Sequence, residues 1–513
     1  MRNQRSDKIN FESDSFREVI RSKAKRLEMI AVPGAGKTTM LTRRVQYLIE
    51  SRNVKPEQIL VLSFANASIE ELRTKFNTIL GADVSRCVAI RTVHSVALEL
   101  IAKTVRVGKG GAEKMFKRMV ADAIRVATRL PQPWKEYQHL LVDEYQDCSP
   151  KQSALIAALA KRIPNILVVG DPMQNLYAFA GSKYTPISDL LSGVRTKVMG
   201  YSHRLTRQNA ALACAVSSKS IQPAKIETTK RGPRPALILD SNLRNQVKRV
   251  AGEVVSLLEQ QENAGDIAIL ARTKAILRPF RAALLARAVR TERIGDHVPA
   301  QHAMTIAYMA HKVIQRDIKP LTLKELNIKL GQLELDASAL NLAFKKLTRE
   351  IRPGALEGVF AGCARVYTAL FVDKDVRRAI LHEANRWVPL CRQFESASAL
   401  ATAIRTNESQ TPVMTSTINK AKGREWQYVF LVGVIDGLLP IYHALKPMDK
   451  GKQQDKLDEE RRLLYVATAR ASHSLRVFQS PVHHAHTRRK FSEQSRLLDV
   501  ALRSRVLSIE DYR

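Results

Sequence analysis

The chain is predicted to be an α/β protein of two parallel-sheet units, with a helical insertion in each. Compact apolar runs end on small or polar residues, helical patterns separate them, and the alternation occurs twice along 513 residues. In the first unit, 27–31 (LEMIA), 58–64 (QILVLSF), 139–143 (HLLVD) and 165–171 (NILVVGD) read as buried parallel strands. The pattern at 68–80 (SIEELRTKFNTIL) reads as a connecting helix. In the second unit, 235–240, 266–272, 428–434 and 474–479 read as strands. The stretch 297–407 is mostly helical in pattern and reads as an insertion into the second unit. The stretch 101–137 is a short, strongly basic insertion into the first. The expected division is therefore 1–100 with 138–200, then 201–296 with 408–480. The remainder, 481–513, carries His-His-Ala-His and Arg488-Arg489-Lys490 and reads as a solvated basic tail rather than a metal site.

Composition narrows the partner. Lys and Arg number 83 against 49 Asp and Glu, a formal charge of +34. Such an excess calls for a polyanion, and nucleic acid fits better than a membrane surface because no basic amphipathic anchor is visible. No run of about 18 uncharged apolar residues exists, so no membrane span is expected. The first residues, MRNQRSDKINFES, show no apolar leader core. Cys87, Cys148, Cys214, Cys363 and Cys391 are scattered without a C-x-x-C, which points to reduced thiols in the cytoplasm and to neither a disulfide framework nor a zinc site.

Residues 31–38 read Ala-Val-Pro-Gly-Ala-Gly-Lys-Thr between a strand and a helix, the setting a phosphate-binding loop requires. Gly34 and Gly36 let backbone N–H groups curl around phosphate oxygens. Lys37 reaches the terminal phosphates, Thr38 offers a hydroxyl to Mg²⁺, and the helix N-terminus adds its dipole. The cradle assigned to ATP is Ala31, Val32, Pro33, Gly34, Ala35, Gly36, Lys37, Thr38 and Thr39, with Arg44 on the helix behind it. The acidic partner is Asp143-Glu144-Tyr145-Gln146-Asp147, directly after an apolar strand. Asp143 is placed to hold Mg²⁺, and Glu144 to polarise the attacking water. Together these predict a nucleoside-triphosphate hydrolase.

The motif series resembles the superfamily 1 helicases of the UvrD/Rep type, in order and across both α/β units, in a compact form. The resemblance implies two RecA-like domains and makes LSFANASIEELR, RTVHSVALEL, VVGDPMQNLYAFAGS, YSHRLT, TINKAKGREWQYVFLVG and EERRLLYVATARA its carriers. It implies Phe64, Asn66, Thr92, His94, Tyr177, Phe179, Thr417 and Lys422 at the nucleic acid, Gln146 coupling nucleotide to DNA, and Gln174 sensing the γ-phosphate. It implies Arg204 and Arg470 as arginine fingers arriving from the second domain, Gly423 as a turn, and Glu425 toward the ribose. Its activity would be ATP- and Mg²⁺-dependent 3′→5′ movement on single-stranded DNA, with unwinding of tailed duplex DNA. The alternative is a DNA-stimulated ATPase that translocates or switches, and separates strands only with a nuclease, replication or repair partner. The sequence departs from the family at Ser15, where a glutamine reads adenine, at Thr39 and Ala180, where arginines are usual, and at Asn419-Lys420.

Overall fold

The computed structural model describes residues 14–64, 66–102, 112–129, 136–178, 181–217, 225–293, 301–317, 319, 337–350, 356–371, 374–393, 395–409, 411–446, 449–483, 490–491 and 493–512. Six strands form the first sheet: β1 (Arg26–Ala31), β2 (Ile59–Ser63), β3 (Ala89–Thr92), β4 (His139–Val142), β5 (Asn165–Gly170) and β6 (Arg195–Met199). Their order is β3-β2-β4-β5-β1-β6, and every neighbouring pair is parallel. Alternate residues of the central strands enter different cores. Leu60, Leu62, Leu140, Val142, Ile166 and Val168 pack on one face, while Ile59, Val61, Leu141, Leu167 and Val169 pack on the other. Burial on both faces is why these strands read as continuous apolar runs rather than alternating ones. The strands β3 and β6 escape the same reading because they are the sheet's two edges. An edge strand tolerates polar residues, and Arg195, Thr196 and Val198 of β6 are exposed.

The second sheet contains β7 (Ala236–Asp240), β8 (Ile267–Ala271), β9 (Thr291–Arg293), β10 (Val413–Thr417), β11 (Trp426–Val432) and β12 (Ala471–Gln479). A short antiparallel pair, β13 (Val482–His483) with β14 (Lys490–Phe491), stands apart, and β15 (Ser508–Tyr512) completes the sheet. The order is β15-β7-β12-β11-β8-β10-β9, with β11, β8, β10 and β9 parallel. Between β9 and β10 the described chain is helical: Gln301–Ile314, Ala337–Glu350, Leu356–Thr368, Lys374–Trp387 and Ala397–Ser409. These helices share a core of their own around Phe344, Phe360, Tyr367, Phe371 and Trp387. Among the described residues no helix is long and apolar enough to cross a membrane.

The chain forms two compact units. The first comprises 1–237, 435–475 and 493–509, and the second 238–434, 476–492 and 510–513. Residues 201–237 and 435–475, grouped with the second sheet in the sequence reading, thus pack with the first compact unit.

The expectation of a solvated tail is corrected. Leu497, Leu498, Ala501 and Leu507 are buried, the helix Asp499–Arg503 follows a single 3₁₀ turn, and β15 joins the second sheet. Asp436 accepts two hydrogen bonds from Arg496, at 3.0 Å from its N–H and 2.7 Å from its Nε. Apolar spacing hidden among seven basic residues is the physical reason: charge masked a short amphipathic segment. The tract 484–489, with most of the His cluster and two of the three basic residues, lies outside the described residues.

Candidate functional site

Parallel strands deliver their following loops to one edge of the sheet, and ligands bind there. In the first sheet the neighbours β4, β5 and β1 bring Asp143, Asp171 and the loop 32–36 to that edge. The loop is pinned by backbone. Val32 N–H donates to Met199 at 3.1 Å, Ala35 N–H to Val32 at 3.1 Å, and His203 N–H to the Gly34 carbonyl at 3.0 Å. Ser202 Oγ donates to the Pro33 carbonyl at 2.7 Å. Gly36 caps the helix Lys37–Arg52 in the left-handed region, and Gly34 has φ 75°. A Cβ on Gly34 would stand 2.4 Å from Arg204 Cβ and 2.7 Å from Ser202 Oγ, so only glycine fits. Ala31, which ends β1, and Ala35, within the loop, are buried, and Lys37, Thr38 and Thr39 are half-buried in the first helical turn. The N–H groups of that turn have no intrahelical acceptor and point at whatever anion occupies the loop.

The carboxylates behind the loop are buried. Burial and the neighbouring Glu144 carboxylate push Asp143 above its usual range, while Lys37 pulls it down. Burial likewise raises Asp171, and again Lys37 opposes it. One ammonium therefore acts on two buried carboxylates from adjacent strands. Asp143 and Thr38 offer oxygen donors, the kind a hard divalent cation takes. Glu144 sits at φ 50°, a left-handed conformation uncommon for a side chain of its size, and its carboxylate accepts from Gln146 Nε2.

From Glu144 a continuous hydrogen-bonded path runs outward. Gln146 Oε1 accepts from Asp171 N–H at 3.0 Å, and Asp171 Oδ2 accepts from Gln174 Nε2 at 2.8 Å. Gln174 Oε1 accepts from Arg470 at 3.4 Å. Arg470 is 1% exposed and also donates to the Val466 carbonyl at 3.0 Å. Arg204 donates to the Ala469 carbonyl at 3.5 Å. Both arginines belong to the same compact unit as Lys37. A Cβ on Gly170 would lie 2.6 Å from Gln146 Oε1, so a larger residue there would displace the Gln146 amide from this path.

The other half of the same edge is aromatic. Phe64 follows β2, and its ring centroid lies 5.3 Å from that of Tyr177. Both are half-buried. Thr92 ends β3, and its hydroxyl accepts from Ser95 N–H at 3.0 Å, which makes it a helix cap. His94, in the first turn of that helix, is held below its ordinary pKa by burial. The Asn66 side chain and all of Phe179 lie outside the described residues. In the second compact unit, Thr417 ends β10, and Lys422 and Glu425 share the turn that leads to β11, with Gly423 at φ 86°.

Arg44 is the assignment the geometry does not support. Its guanidinium donates to the Ile20 carbonyl and lies over the Tyr47 ring at 5.7 Å. Its charge is felt by His139, at the start of β4, the opposite end of that strand from Asp143. Arg44 is seven residues, nearly two helical turns, beyond Lys37, and the helix carries it away from the loop. Asp171, not assigned from sequence, was visible there by the same sign as Asp143: a carboxylate directly after an apolar run. Asn175 and Ser202 carry no such sign, because their roles depend on long-range contacts.

Residues 17–180 match the family model described as an AAA domain, and residues 383–480 match the UvrD-like helicase C-terminal domain. The ATP-dependent DNA helicase PcrA of Leuconostoc citreum is 21% identical, with 88% of this chain and 79% of the relative aligned. The ATP-dependent DNA helicase srs2 of Schizosaccharomyces pombe is 20% identical over 91% of this chain and 71% of its own length. The ATP-dependent DNA helicase UvrD2 of Mycobacterium tuberculosis strain H37Rv is 27% identical over 65% and 46%. With both models matched in the order of the motifs, and relatives aligned along most of its length, the chain belongs to the UvrD/Rep-type family of superfamily 1 helicases.

Proposed function

We propose that this protein hydrolyses ATP to move 3′→5′ along single-stranded DNA and to separate tailed duplexes. The observation that carries the reading is the path from Glu144 through Gln146, Asp171 and Gln174 to Arg470. It joins the residue we assign to polarising water to the guanidinium we assign to the γ-phosphate. The loop 32–36, Lys37, Thr38 and Thr39 hold the triphosphate. Lys37 and Arg204 neutralise charge on its terminal groups, and Arg470 with Gln174 reads the transferred phosphoryl. Mg²⁺, held by Thr38 and Asp143, would neutralise phosphate charge when bound. Glu425 is the candidate for the ribose.

The DNA side rests on Phe64 and Tyr177, whose rings offer stacking faces that do not discriminate among bases. Asn66, Thr92, His94, Phe179, Thr417 and Lys422 complete the proposed contacts. The +34 charge supports a polyanionic track and a steep salt dependence. Three assays test the reading together. Single-stranded DNA is expected to stimulate ATPase activity, and a 3′-tailed duplex to be unwound in preference to a 5′-tailed one. Streptavidin is expected to be displaced from the 5′ end of a strand. Stimulation and displacement without unwinding would select the translocase form that works with a partner. No stimulation by DNA would reject the motor.

A further inference from the structure

The loop that carries Tyr177 is closed on itself by two side chains that the proposed chemistry does not use. Ser182 Oγ donates to Asn175 Oδ1 at 2.8 Å, and Ser182 N–H donates to the Tyr177 carbonyl at 3.2 Å. Both residues are buried, Asn175 to 5% and Ser182 to 7% exposure. The closed loop is anchored at two further points. Asn175 Nδ2 donates to the backbone carbonyl of Gln146 at 2.8 Å, and the Asn175 carbonyl accepts from Arg462 Nε at 3.2 Å. Gln146 is the residue whose amide bridges Glu144 and Asp171. Arg462 lies on the helix Lys450–Thr468, which leads to Arg470.

We infer that Asn175 and Ser182 form a latch that transmits the state of the phosphate site to the aromatic pair Phe64–Tyr177. They are positioning residues and touch neither nucleotide nor DNA. Asn175 is the node: its amide N–H holds the acidic loop, its amide oxygen holds the far end of the aromatic loop, and its carbonyl holds the arginine helix. A shift of Gln146 on hydrolysis is carried to the Tyr177 loop by the buried Asn175 amide at 2.8 Å from the Gln146 carbonyl, with Ser182 Oγ reaching the same carbonyl at 3.5 Å, and these buried groups cannot exchange their partners for water. The orientation of the Asn175 amide is fixed by its partners, since its oxygen meets a hydroxyl and its nitrogen a carbonyl.

The inference rests on the DNA-motor reading and is tested so that the two can fail separately. Wild type, Ser182→Ala, Ser182→Thr and Asn175→Asp are compared for DNA-free ATPase, maximal ATPase with oligo-dT, and the oligo-dT concentration for half-stimulation. Ser182→Ala is expected to lose about fivefold to tenfold of the DNA-stimulated rate, the size of one buried hydrogen bond. Its DNA-free rate should hold. Ser182→Thr keeps the hydroxyl and restores stimulation. Asn175→Asp keeps the acceptor for Ser182 but loses the donor to Gln146, and is expected to be as uncoupled as Ser182→Ala. Wild-type stimulation in Ser182→Ala and Asn175→Asp overturns the latch alone. Equal loss of the DNA-free and stimulated rates also overturns it, because that is what a merely structural role produces. A wild type that hydrolyses ATP with no response to oligo-dT overturns the motor reading and the latch with it.

Discussion

One strand and one helix beside the first sheet each carry titratable or charged groups toward both of the sheet's edges. The strand β4 begins with His139 and is followed by Asp143; the helix Lys37–Arg52 begins with Lys37 and carries Arg44 farther along. At the carboxyl edge, burial drives Asp143 and Asp171 toward the protonated form, and Lys37 resists. At the amino edge, burial together with Arg44 and Arg52 drives His139 down to about 4. Desolvation disfavours whichever form is charged, so the same elements give shifts of opposite sign. The difference in purpose comes from what converges. The carboxyl edge gathers a glycine-lined turn, helix N–H groups and two buried carboxylates, one of them linked through Gln174 to Arg470. At the amino edge Arg44 is held by the Ile20 carbonyl and the Tyr47 ring, and the result anchors a helix.

The widest separation between the two edges is expected from a pair of substitutions in the one helix. Lys37→Ala should lower ATP turnover by about 10²–10³-fold or more, the scale of removing one preorganised donor. Single-stranded DNA affinity should stay near wild type. Arg44→Met should leave turnover close to wild type and cost stability instead, about 1.5–3 kcal/mol for a buried charged hydrogen bond. Turnover and melting temperature, measured on both, decide the matter. A large turnover loss in Arg44→Met would return that residue to the nucleotide site.

Next in size is Arg470→Lys. Lysine keeps the charge but not the planar fork that donates to Gln174 and Val466 together. A finger-like arginine contributes about 10³–10⁵-fold in kcat. A loss of at least about 10³-fold is therefore expected in the DNA-stimulated rate, with little change in KM. A change confined to KM would make Arg470 a binding group only.

The sheets and the phosphate loop were legible because their signals are local. Doubly buried strands show as apolar runs, and Gly34, Gly36 and Lys37 must be adjacent to work. Four features were not legible. Edge strands such as β6 carry Arg195 and Thr196 and look like loops, since one open side removes the need for apolar residues. The direction in which a helix carries its side chains is set by packing, and for that reason Arg44 could be grouped with the loop by sequence alone. The 493–512 segment failed similarly: its buried leucines lie among arginines whose charge dominates any composition-based reading. The Asn175–Ser182 contact spans seven residues and has no sequence signature at all.

The aromatic half of the carboxyl edge gives a smaller, separable effect. Phe64→Ala should weaken oligo-dT binding by the amount of one stacked base, roughly 1–3 kcal/mol, or about 5–150-fold. The DNA-free ATPase rate should be unchanged, because Phe64 follows β2 while the phosphate residues follow β1, β4 and β5. Fluorescence anisotropy with labelled oligo-dT measures the affinity. An equal drop in DNA-free turnover would mean that the two halves of the edge are not separable.

The smallest effect returns to the amino edge. His139 has a folded pKa lowered to about 4, against an ordinary value of 6.5. Between those values the unfolded chain binds a proton that the folded chain refuses, so stability falls as pH drops from about 6.5 toward 4 and is unaffected above that window. The partial exposure of His139 moderates the loss. His139→Gln cannot protonate and should show a shallower fall in melting temperature from pH 7 to pH 5 than wild type. Asp143→Asn provides the contrast in Mg²⁺-free buffer. Its raised carboxyl destabilises the fold at neutral pH, and that cost is relieved as pH falls. Removing the charge should therefore stabilise the protein at pH 8 more than at pH 5, while abolishing turnover. Parallel pH slopes for wild type and His139→Gln would show that the amino-edge imidazole is solvated rather than buried against Arg44 and Arg52.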